Sequence, residues 1–438
     1  MFLTLSALSP AASVYVGGAV VLHMAGTGAA VGYVLGGVVA CVLALIYAEL
    51  SAGFPRAGGY YPAVTGILGR WAGFPLVVIN IFLNPAFMAF TALGLADYAH
   101  VLAPDAPTRL IAVGSLLAAA LIASLRVRTS EVVTGIFLAV EGVALVLLTL
   151  VAATHPARGA LEVLTHPVML DHGVLKPTPP AVIALAVIAG AWSTSGASFA
   201  TFFGEELKEA QRRIGRVVAW AAVVAALTIA LPMLLTVLSI GDLKTVLAAE
   251  APLAVYLKSV SGPGVEAVVS FGVAAALFNN LIAAGMAFSR MIYSTARDGI
   301  WPRPLAGWIA RLDGRLQTPV VAMGVLVAMS LAAEAAGLKA LTVFMAADLT
   351  TLMISLAALM GRRRGLTGRW FGAWLHPLVP LFGLGFAGIS AYVNWIDPDA
   401  GRPSLIILGG LCLASLAAWF LGLRRRLAAW DVAAVVAE

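Results

Sequence analysis

Two long apolar segments of this chain meet in the stretch Tyr47-Ala48-Glu49-Leu50-Ser51-Ala52-Gly53-Phe54-Pro55-Arg56-Ala57-Gly58-Gly59-Tyr60-Tyr61. The apolar residues on either side predict helices, and between them stand an acid, a proline, an arginine and a glycine pair. Proline interrupts a helix, and charged side chains are costly in hydrocarbon. The stretch is therefore typical of a place where a chain leaves a bilayer and turns back into it.

The composition points to a membrane protein. Hydrophobic residues make up 61% of the chain and charged residues 11%, against roughly half and a quarter in soluble domains. The sequence pI is about 9.5, but the basic residues form short clusters between apolar runs and do not alternate with aromatic residues. These patterns exclude nucleic acid as a partner and predict contact with membrane lipid.

A helix that spans a bilayer needs about 20 apolar residues. By this criterion the sequence predicts an all-α, polytopic membrane protein with twelve transmembrane helices, at 6–25, 29–53, 72–100, 109–124, 130–153, 180–203, 213–240, 263–297, 319–336, 339–361, 374–395 and 404–423. The first helix is not expected to be a cleaved signal peptide, because no basic region precedes it and further apolar segments follow.

The basic residues predict the orientation, since cytoplasmic loops carry an excess of lysine and arginine. With both termini in the cytoplasm, 20 of the 27 basic residues lie inside. The seven expected outside are Arg109, Arg158, Lys176, Lys244, Lys258, Lys339 and Arg402. We therefore expect a multi-pass protein of the plasma membrane with both termini cytoplasmic.

The longest stretch that is not apolar, 154–179, is expected to be an extracellular loop between two blocks of five helices, 1–153 and 180–361. Two further helices at 374–423 and a cytoplasmic tail at 424–438 complete the predicted organisation. Each block opens with a helix that small polar residues interrupt. Paired interruptions in two halves indicate a transporter built from an inverted repeat, with its binding site at the interruptions.

The first interruption reads Ser6-Ala7-Leu8-Ser9-Pro10-Ala11-Ala12-Ser13 and the second Trp192-Ser193-Thr194-Ser195-Gly196-Ala197-Ser198. Proline removes a backbone donor and frees carbonyl groups, which the membrane tolerates only where the backbone lines a cavity or is buried in protein. Small residues also allow close packing of transmembrane helices. Their occurrence in corresponding positions of both blocks favours a binding site over packing alone.

Other functional classes lack sequence support. Cys41 and Cys412 lie in different predicted helices, so no disulfide is indicated. No metal-ligand spacing, phosphate-binding loop or nucleophile motif is present, and we expect no metal, no cofactor and no enzymatic activity.

Four motifs resemble amino acid–polyamine–organocation (APC) permeases. Beside the opening stretch, they are Gly204-Glu205-Glu206-Leu207-Lys208 with Arg212-Arg213, Ser289-Arg290-Met291-Ile292-Tyr293 with Ala296 to Pro302, and Thr318-Pro319-Val320-Val321. The resemblance implies a LeuT-type fold of five helices plus an inverted five, with two helices appended. It places the substrate between broken helices one and six.

The resemblance also implies the chemistry of that site. Amides from Ser9 to Ser13 would bind a carboxylate at a half-helix N-terminus, and carbonyls from Ser193 to Gly196 would accept from an ammonium group. The residues implied to bind substrate are Ser9, Pro10, Ala11, Ala12, Ser13, Trp192, Ser193, Thr194, Ser195, Gly196 and Ser198. Trp192 is spaced like an aromatic residue that covers substrate in related exchangers, or is a packing tryptophan.

The chain departs from the cationic-substrate exchangers at one important position. Where those resemble Gly-x-Glu in helix six, this chain has Gly196-Ala197-Ser198. The missing acid removes a counter-ion, which favours a neutral amino acid or a small amine derivative as the substrate.

Ionisable groups inside the bilayer are functional candidates. Glu141 is predicted near the middle of helix five, and the sequence indicates no partner of opposite charge for it. It is either a proton carrier or a protonated acid that forms a hydrogen bond with a neighbouring helix. Asn279 or Asn280 could complete an ion-coupling site with it. Asp348, predicted mid-way along helix ten, is a gating residue, a proton carrier or a structural acid. Glu49 is expected to pair with arginines.

We therefore expect a secondary active transporter that moves an amino acid by alternating access, with proton coupling through Glu141, as a monomer or homodimer. The alternatives are an exchanger without net ion coupling and a membrane receptor on the same fold. A receptor is expected to carry an added soluble domain, and we expect none from this sequence.

Overall fold

A computed structural model describes residues 2–102, 105–207, 209–249, 251–363, 365 and 375–424. It is 82% helical, with 2% strand, and the prediction of an all-α polytopic membrane protein is confirmed. The predicted tail beyond Arg424 lies outside the described residues, as do the basic residues Lys208, Arg364 and Arg369.

Ten helical segments of the described chain are long and apolar enough to cross a membrane. They are Leu3–Ala25, Gly28–Gly53, Arg70–Ala99, Val127–Thr154, Pro180–Phe202, Ala210–Ser239, Ala267–Arg297, Gly337–Arg363, Leu378–Ile396 and Gly401–Leu423. Two shorter apolar helices, Thr108–Ala123 and Val320–Glu334, occupy the predicted fourth and ninth spans. The count of twelve spans stays a prediction.

The helices are bounded as follows in chain order: α1 Phe2–Leu8, α2 Pro10–Ala12, α3 Gly18–Ala25, α4 Gly28–Gly53, α5 Tyr61–Leu68, α6 Arg70–Leu102, α7 Thr108–Ala123, α8 Val127–Thr154, α9 Ala160–Thr165 and α10 Pro180–Thr194. The later helices are α11 Ala210–Ser239, α12 Leu243–Ala248, α13 Pro252–Ser261, α14 Pro263–Arg297, α15 Arg303–Ile309, α16 Val320–Glu334, α17 Gly337–Met345, α18 Thr350–Arg363, α19 Leu378–Ile396 and α20 Gly401–Ala418. A π-helical turn, Trp419–Leu423, extends α20.

The predicted interruption of the first helix is present. α1 ends at Leu8, and Ser9 has a left-handed backbone with φ of 48°. Pro10 then begins α2, and a π-helical segment, Ser13–Gly17, connects α2 to α3. A proline at the first position of a helix loses no hydrogen bond, so the chain restarts as a helix immediately after the break.

The sixth predicted helix is also interrupted. α10 ends at Thr194, Ser195 leaves helical geometry, and a 3-10 helix follows at Gly196–Phe202. A short 3-10 turn, Gly204–Glu206, then leads toward α11. Both interruptions therefore lie within the stretches that the sequence predicted.

Two regions differ from the sequence predictions. The predicted span at 339–361 matches the apolar segment Gly337–Arg363, but it is interrupted, because α17 ends at Met345 and α18 begins at Thr350. The predicted loop at 154–179 contains α9 and a hairpin in which β1, Val168–Asp171, pairs antiparallel with β2, Val174–Pro177. The hairpin is anchored to the end of α3, since the Val168 carbonyl accepts from the Thr27 N–H at 2.8 Å.

The core surrounds α14, where 72% of the spanning window is buried. It packs against α1, α6, α7, α8 and α16. By contrast, 17% of the last span is buried, so α20 has most of its surface available to lipid. The candidate site lies within this core, where α14 meets α1 and α8.

Close contact between α4 and α10 depends on glycine. A Cβ at Gly36 would lie 2.5 Å from the Ala191 nitrogen, and a Cβ at Gly190 would lie 2.4 Å from the Gly32 carbonyl oxygen. The neighbours in both cases are backbone atoms, which cannot rotate away. Small residues let membrane helices approach in this way, and α4 is held directly along α10.

Replacing Gly36 with valine should therefore separate α4 from α10 and destabilise the fold by about 1–3 kcal/mol. Unfolding in mixed micelles of SDS and a mild detergent measures the change. Gly94→Val is the matched control, because nothing lies within 4 Å of a Cβ built at Gly94. Equal stability of the two variants would contradict the packing described.

Candidate functional site

The two interruptions touch each other. A Cβ built at Gly196 would lie 2.5 Å from the Leu8 Cβ, so the first residue after the α10 break contacts the last residue of α1. The interrupted backbones of helices one and six are thus brought together. We call the place where the two interruptions meet, 9–13 and 193–198, the junction. Its buried residues include Ser9, Pro10, Ala11, Thr194 and Gly196.

Glu141 of α8 reaches the break in the first helix. The Ser9 hydroxyl lies 2.8 Å from Glu141 Oε2 and 3.2 Å from the carbonyl oxygen of Ala276 on α14. Both Ser9 and Glu141 are at most 1% exposed. Glu141 is therefore not without a partner, because Ser9 connects it directly to the unwound backbone.

The two asparagines of α14 have different surroundings. The Asn280 side-chain amide donates to the Ala7 carbonyl at 2.6 Å, and Ala7 lies two residues before Ser9 near the end of α1. Asn279 is fully buried, and neither polar atom of its side chain has a hydrogen-bond partner among the described residues. Asn280 therefore belongs to the junction with α1.

The junction offers fewer amide donors than the sequence suggested. The Ser9 N–H donates to the Leu5 carbonyl and the Ser13 N–H to the Ser9 carbonyl. Since Pro10 has no N–H, Ala11 and Ala12 supply the further amides of this stretch.

Acceptors come from the end of α10, whose last carbonyls lack helical partners. The Ser195 hydroxyl donates to the Ala191 carbonyl at 2.6 Å, and the Ser195 N–H donates to Trp192. This leaves the carbonyls of Ser193 and Thr194 as the acceptors nearest to the break.

One part of the junction is accessible. Ala12, Ser13, Ser193, Ser195 and Ser198 are partly buried. An accessible half of the junction therefore adjoins the buried half that contains Ser9 and Glu141.

Trp192 is 43% exposed. It follows Gly190 by two residues, so it projects from the side of α10 roughly opposite to α4. The role of Trp192 in covering a substrate stays a prediction.

Tyr33 of α4 is a member of the junction that the sequence did not indicate. Its hydroxyl lies 3.1 Å from the Ser13 carbonyl oxygen and 3.3 Å from Ser193 Oγ. An isolated tyrosine within an apolar helix gives no sequence signal, because its partners come from two other helices.

Aromatic rings fill the space on one side of the junction. Five rings lie with neighbouring centroids 5.6 to 6.4 Å apart, those of Tyr60, Phe87, Phe199, Phe202 and Phe288. Two of them belong to the 3-10 helix that follows the α10 break. This aromatic cluster separates the junction from the ends of α4 and α14.

Ion pairs connect the helix ends beyond the aromatic cluster, on what we call the arginine-rich face (Arg56, Arg290, Arg297 and Arg362). Arg297 donates two hydrogen bonds to Glu205, at 2.8 and 3.1 Å. Arg290 is 5% exposed and pairs with Glu206 while its guanidinium lies 4.9 Å from the centre of the Phe203 ring. The chain is therefore closed by side-chain contacts on this face.

Protonation of Glu205 would weaken its ion pair with Arg297. Burial of the Glu205 carboxyl group would raise its pKa, but the hydrogen bonds from Arg297 hold that pKa below its ordinary value. A depressed pKa means that the pair stabilises the closed face above the ordinary glutamate pKa, and that this contribution is lost as the pH falls through the folded value.

Two further acids, Glu49 and Asp348, have partners close to them. Glu49 is buried and lies 3.8 Å from Arg362 Nη1, as its expected pairing requires. Asp348 does not lie within a helix but between α17 and α18, where its carboxylate accepts from the N–H groups of Thr350 and Thr351. These contacts are those of a helix N-cap, and a gating role for Asp348 stays a prediction.

The comparisons with known proteins agree with this architecture. The chain matches the family model described as amino acid permease over residues 1–412, and it belongs to that family, so the APC resemblance is confirmed.

Three relatives are named transporters. The chain is 25% identical to the large neutral amino acids transporter small subunit 2 of Oryctolagus cuniculus, over 63% of this chain and 52% of that protein. It is 25% identical to the human Asc-type amino acid transporter 1, over 63% and 53%. It is 27% identical to an uncharacterized transporter of Mycobacterium bovis, over 72% and 65%. The chain thus spans about half the length of the two mammalian relatives.

Replacing Arg290 with alanine should destabilise the arginine-rich face by about 2 kcal/mol, because a largely buried charged hydrogen bond is lost. Arg213→Ala is the control, since Arg213 pairs with Glu209 at the surface and such pairs contribute roughly 0.5 kcal/mol. Unfolding in mixed micelles compares the two. If Arg290→Ala lowers the free energy of unfolding no more than Arg213→Ala does, the ion pair between Arg290 and Glu206 does not stabilise this face.

Proposed function

We propose that the protein is a secondary transporter that moves an amino acid across the plasma membrane through the junction of the two interrupted helices. The observation that carries this proposal is the contact between the two breaks, which brings the backbone around Ser9 to Ser13 to the backbone around Ser193 to Gly196. Their amide and carbonyl groups suit the carboxylate and ammonium ends of an amino acid. Family membership and the names of the relatives support the same substrate class.

We infer a neutral substrate from the charges around the junction. Ser198 stands where cationic-substrate relatives resemble a glutamate, and Glu141 is turned toward Ser9. The described part of the junction therefore offers no free carboxylate as counter-ion for a second positive charge.

The proposed orientation follows the basic residues. The arginine-rich face is cytoplasmic, and the hairpin of β1 and β2 is extracellular. In this orientation the aromatic cluster and the ion pairs close the cytoplasmic side. Alternating access would require both to separate.

Proton coupling through Glu141 is supported by the surroundings of its carboxyl group. Glu141 is 1% exposed, its Oε2 accepts from the Ser9 hydroxyl at 2.8 Å, and its Oε1 has no hydrogen-bond partner among the described residues. A charged carboxylate is costly inside a membrane unless it is paired or neutralised. These surroundings favour a carboxyl group that binds a proton at the junction and releases it during transport.

The same contacts favour a proton over sodium. A sodium ion requires several oxygen atoms free to coordinate it, and carbonyls are the obvious candidates in an unwound helix. The Ala7 carbonyl already accepts from Asn280 and the Ala276 carbonyl from Ser9. The chain thus occupies these two acceptors with its own donors.

Transport is tested with purified protein in proteoliposomes loaded with an unlabelled neutral amino acid. Labelled amino acid outside should accumulate by counterflow, without any imposed gradient. Cationic amino acids on the outside should compete weakly, because no counter-ion is present. Failure of every neutral amino acid to exchange would contradict the proposed function.

Replacing Glu141 with glutamine should abolish accumulation driven by a pH gradient while counterflow persists. With one proton per substrate, a gradient of about one pH unit supports roughly tenfold accumulation. Glutamine keeps an acceptor for Ser9 but cannot release a proton. Unchanged gradient-driven uptake in Glu141→Gln would exclude Glu141 from coupling, and a wild type insensitive to pH would favour an exchanger.

A further inference from the structure

We propose that Tyr33 is a positioning residue that fixes the segment Ser13–Gly17 of the first helix to the end of α10, and so sets the geometry of the substrate site. The inference rests on the proposed transport function. It adds a residue from α4, a helix that is itself unbroken. The hydroxyl of Tyr33 makes the connection.

The direction of the hydrogen bonds follows from the chemistry of the three groups. Tyr33 has one hydroxyl hydrogen, and the Ser13 carbonyl can only accept. Tyr33 therefore donates to Ser13 over 3.1 Å. The 3.3 Å contact with Ser193 Oγ is completed when Ser193 donates to the tyrosine oxygen. A chain of two hydrogen bonds thus joins α10, α4 and the first helix.

The surrounding packing leaves the hydroxyl no alternative position. Tyr33 is fully buried. A Cβ at Gly17 would lie 2.7 Å from Ser193 Oγ and 3.1 Å from the Tyr33 hydroxyl oxygen, so the first helix contacts both groups directly. On either side of Tyr33, Gly32 and Gly36 hold α4 against the backbone of α10.

The consequence for the site is specific. The Ser193 side chain is engaged by Tyr33, and no other hydrogen bond of that side chain occurs in the described part of the chain. Ser193 therefore contributes its carbonyl rather than its hydroxyl to the substrate. Without the Tyr33 hydroxyl, Ser13 and Ser193 lose their common partner, and the spacing between the amides at Ala11 and Ala12 and the carbonyls of α10 is no longer fixed.

The test replaces Tyr33 with phenylalanine, which keeps the ring and its packing. We expect KM for the counterflow substrate to rise about fivefold to tenfold, the effect of losing one buried hydrogen-bonded link. Ser193→Ala should have the same effect, and the double variant should be no worse than either single variant. Tyr256→Phe is the matched control, since Tyr256 of α13 is 1% exposed and its hydroxyl accepts from Ser239 of α11, outside the junction; its KM should change less than about twofold.

A second measurement does not depend on transport. Spin labels at Val20 of α3 and Ala181 of α10, in a background with Cys41 and Cys412 replaced by alanine, report the distance between the two half-helices. The distribution should be narrow in the wild type and Tyr256→Phe and broader in Tyr33→Phe.

The two measurements separate the two proposals. A broadened distribution in Tyr33→Phe supports the positioning role even if the wild type exchanges no amino acid, a result that would overturn the transport function alone. An unchanged distribution in Tyr33→Phe, or a KM equal to that of Tyr256→Phe in a protein that does transport, would overturn the positioning role.

Discussion

The contact between Ser9 and Glu141 is the interaction on which the account of this permease depends. An interrupted helix within a membrane leaves polar backbone atoms that must find partners in the protein. Ser9, in a left-handed conformation before Pro10, directs its hydroxyl to both α8 and α14. One side chain therefore connects the interruption to an acid that would be costly if charged and alone.

Hydrogen bonds connect the first helix to neighbouring helices on two sides of the junction. On its buried side, Ser9 and Ala7 are bonded to Glu141 and Asn280. On its accessible side, Ser13 is bonded to Tyr33 of α4. Loss of the hydrogen bonds of Ser9 and Ala7 would alter the position of α1. The hydrogen bond between Tyr33 and Ser13 would keep the rest of the first helix with α10. Proton release by Glu141 would thus act on the half of the helix nearest to the arginine-rich face.

The sequence predicted both interruptions, because proline and clustered small polar residues carry a local signal. It also placed Glu141 in the membrane, since an acid in an apolar run is visible without a structure. The hydrogen bonds of Ser9 with Glu141 and Ala276 were not predictable, because these residues are more than a hundred positions apart. The hydrogen bonds of Tyr33 were not predictable either, because a sequence does not give the relative rotation of the helices that they join. The break before α18 was missed because it contains neither proline nor glycine, although Asp348 followed by Thr350 and Thr351 is the pattern of an N-cap.

The protonation state of Glu141 is the most direct test of the account, and infrared spectroscopy of the purified protein at neutral pH measures it. The wild-type spectrum minus that of Glu141→Gln should contain the C=O band of a protonated carboxylic acid, because Glu141 is 1% exposed and a charge there would be costly. A difference spectrum with only carboxylate bands would contradict the account, since Glu141 would then be ionised at the junction at neutral pH.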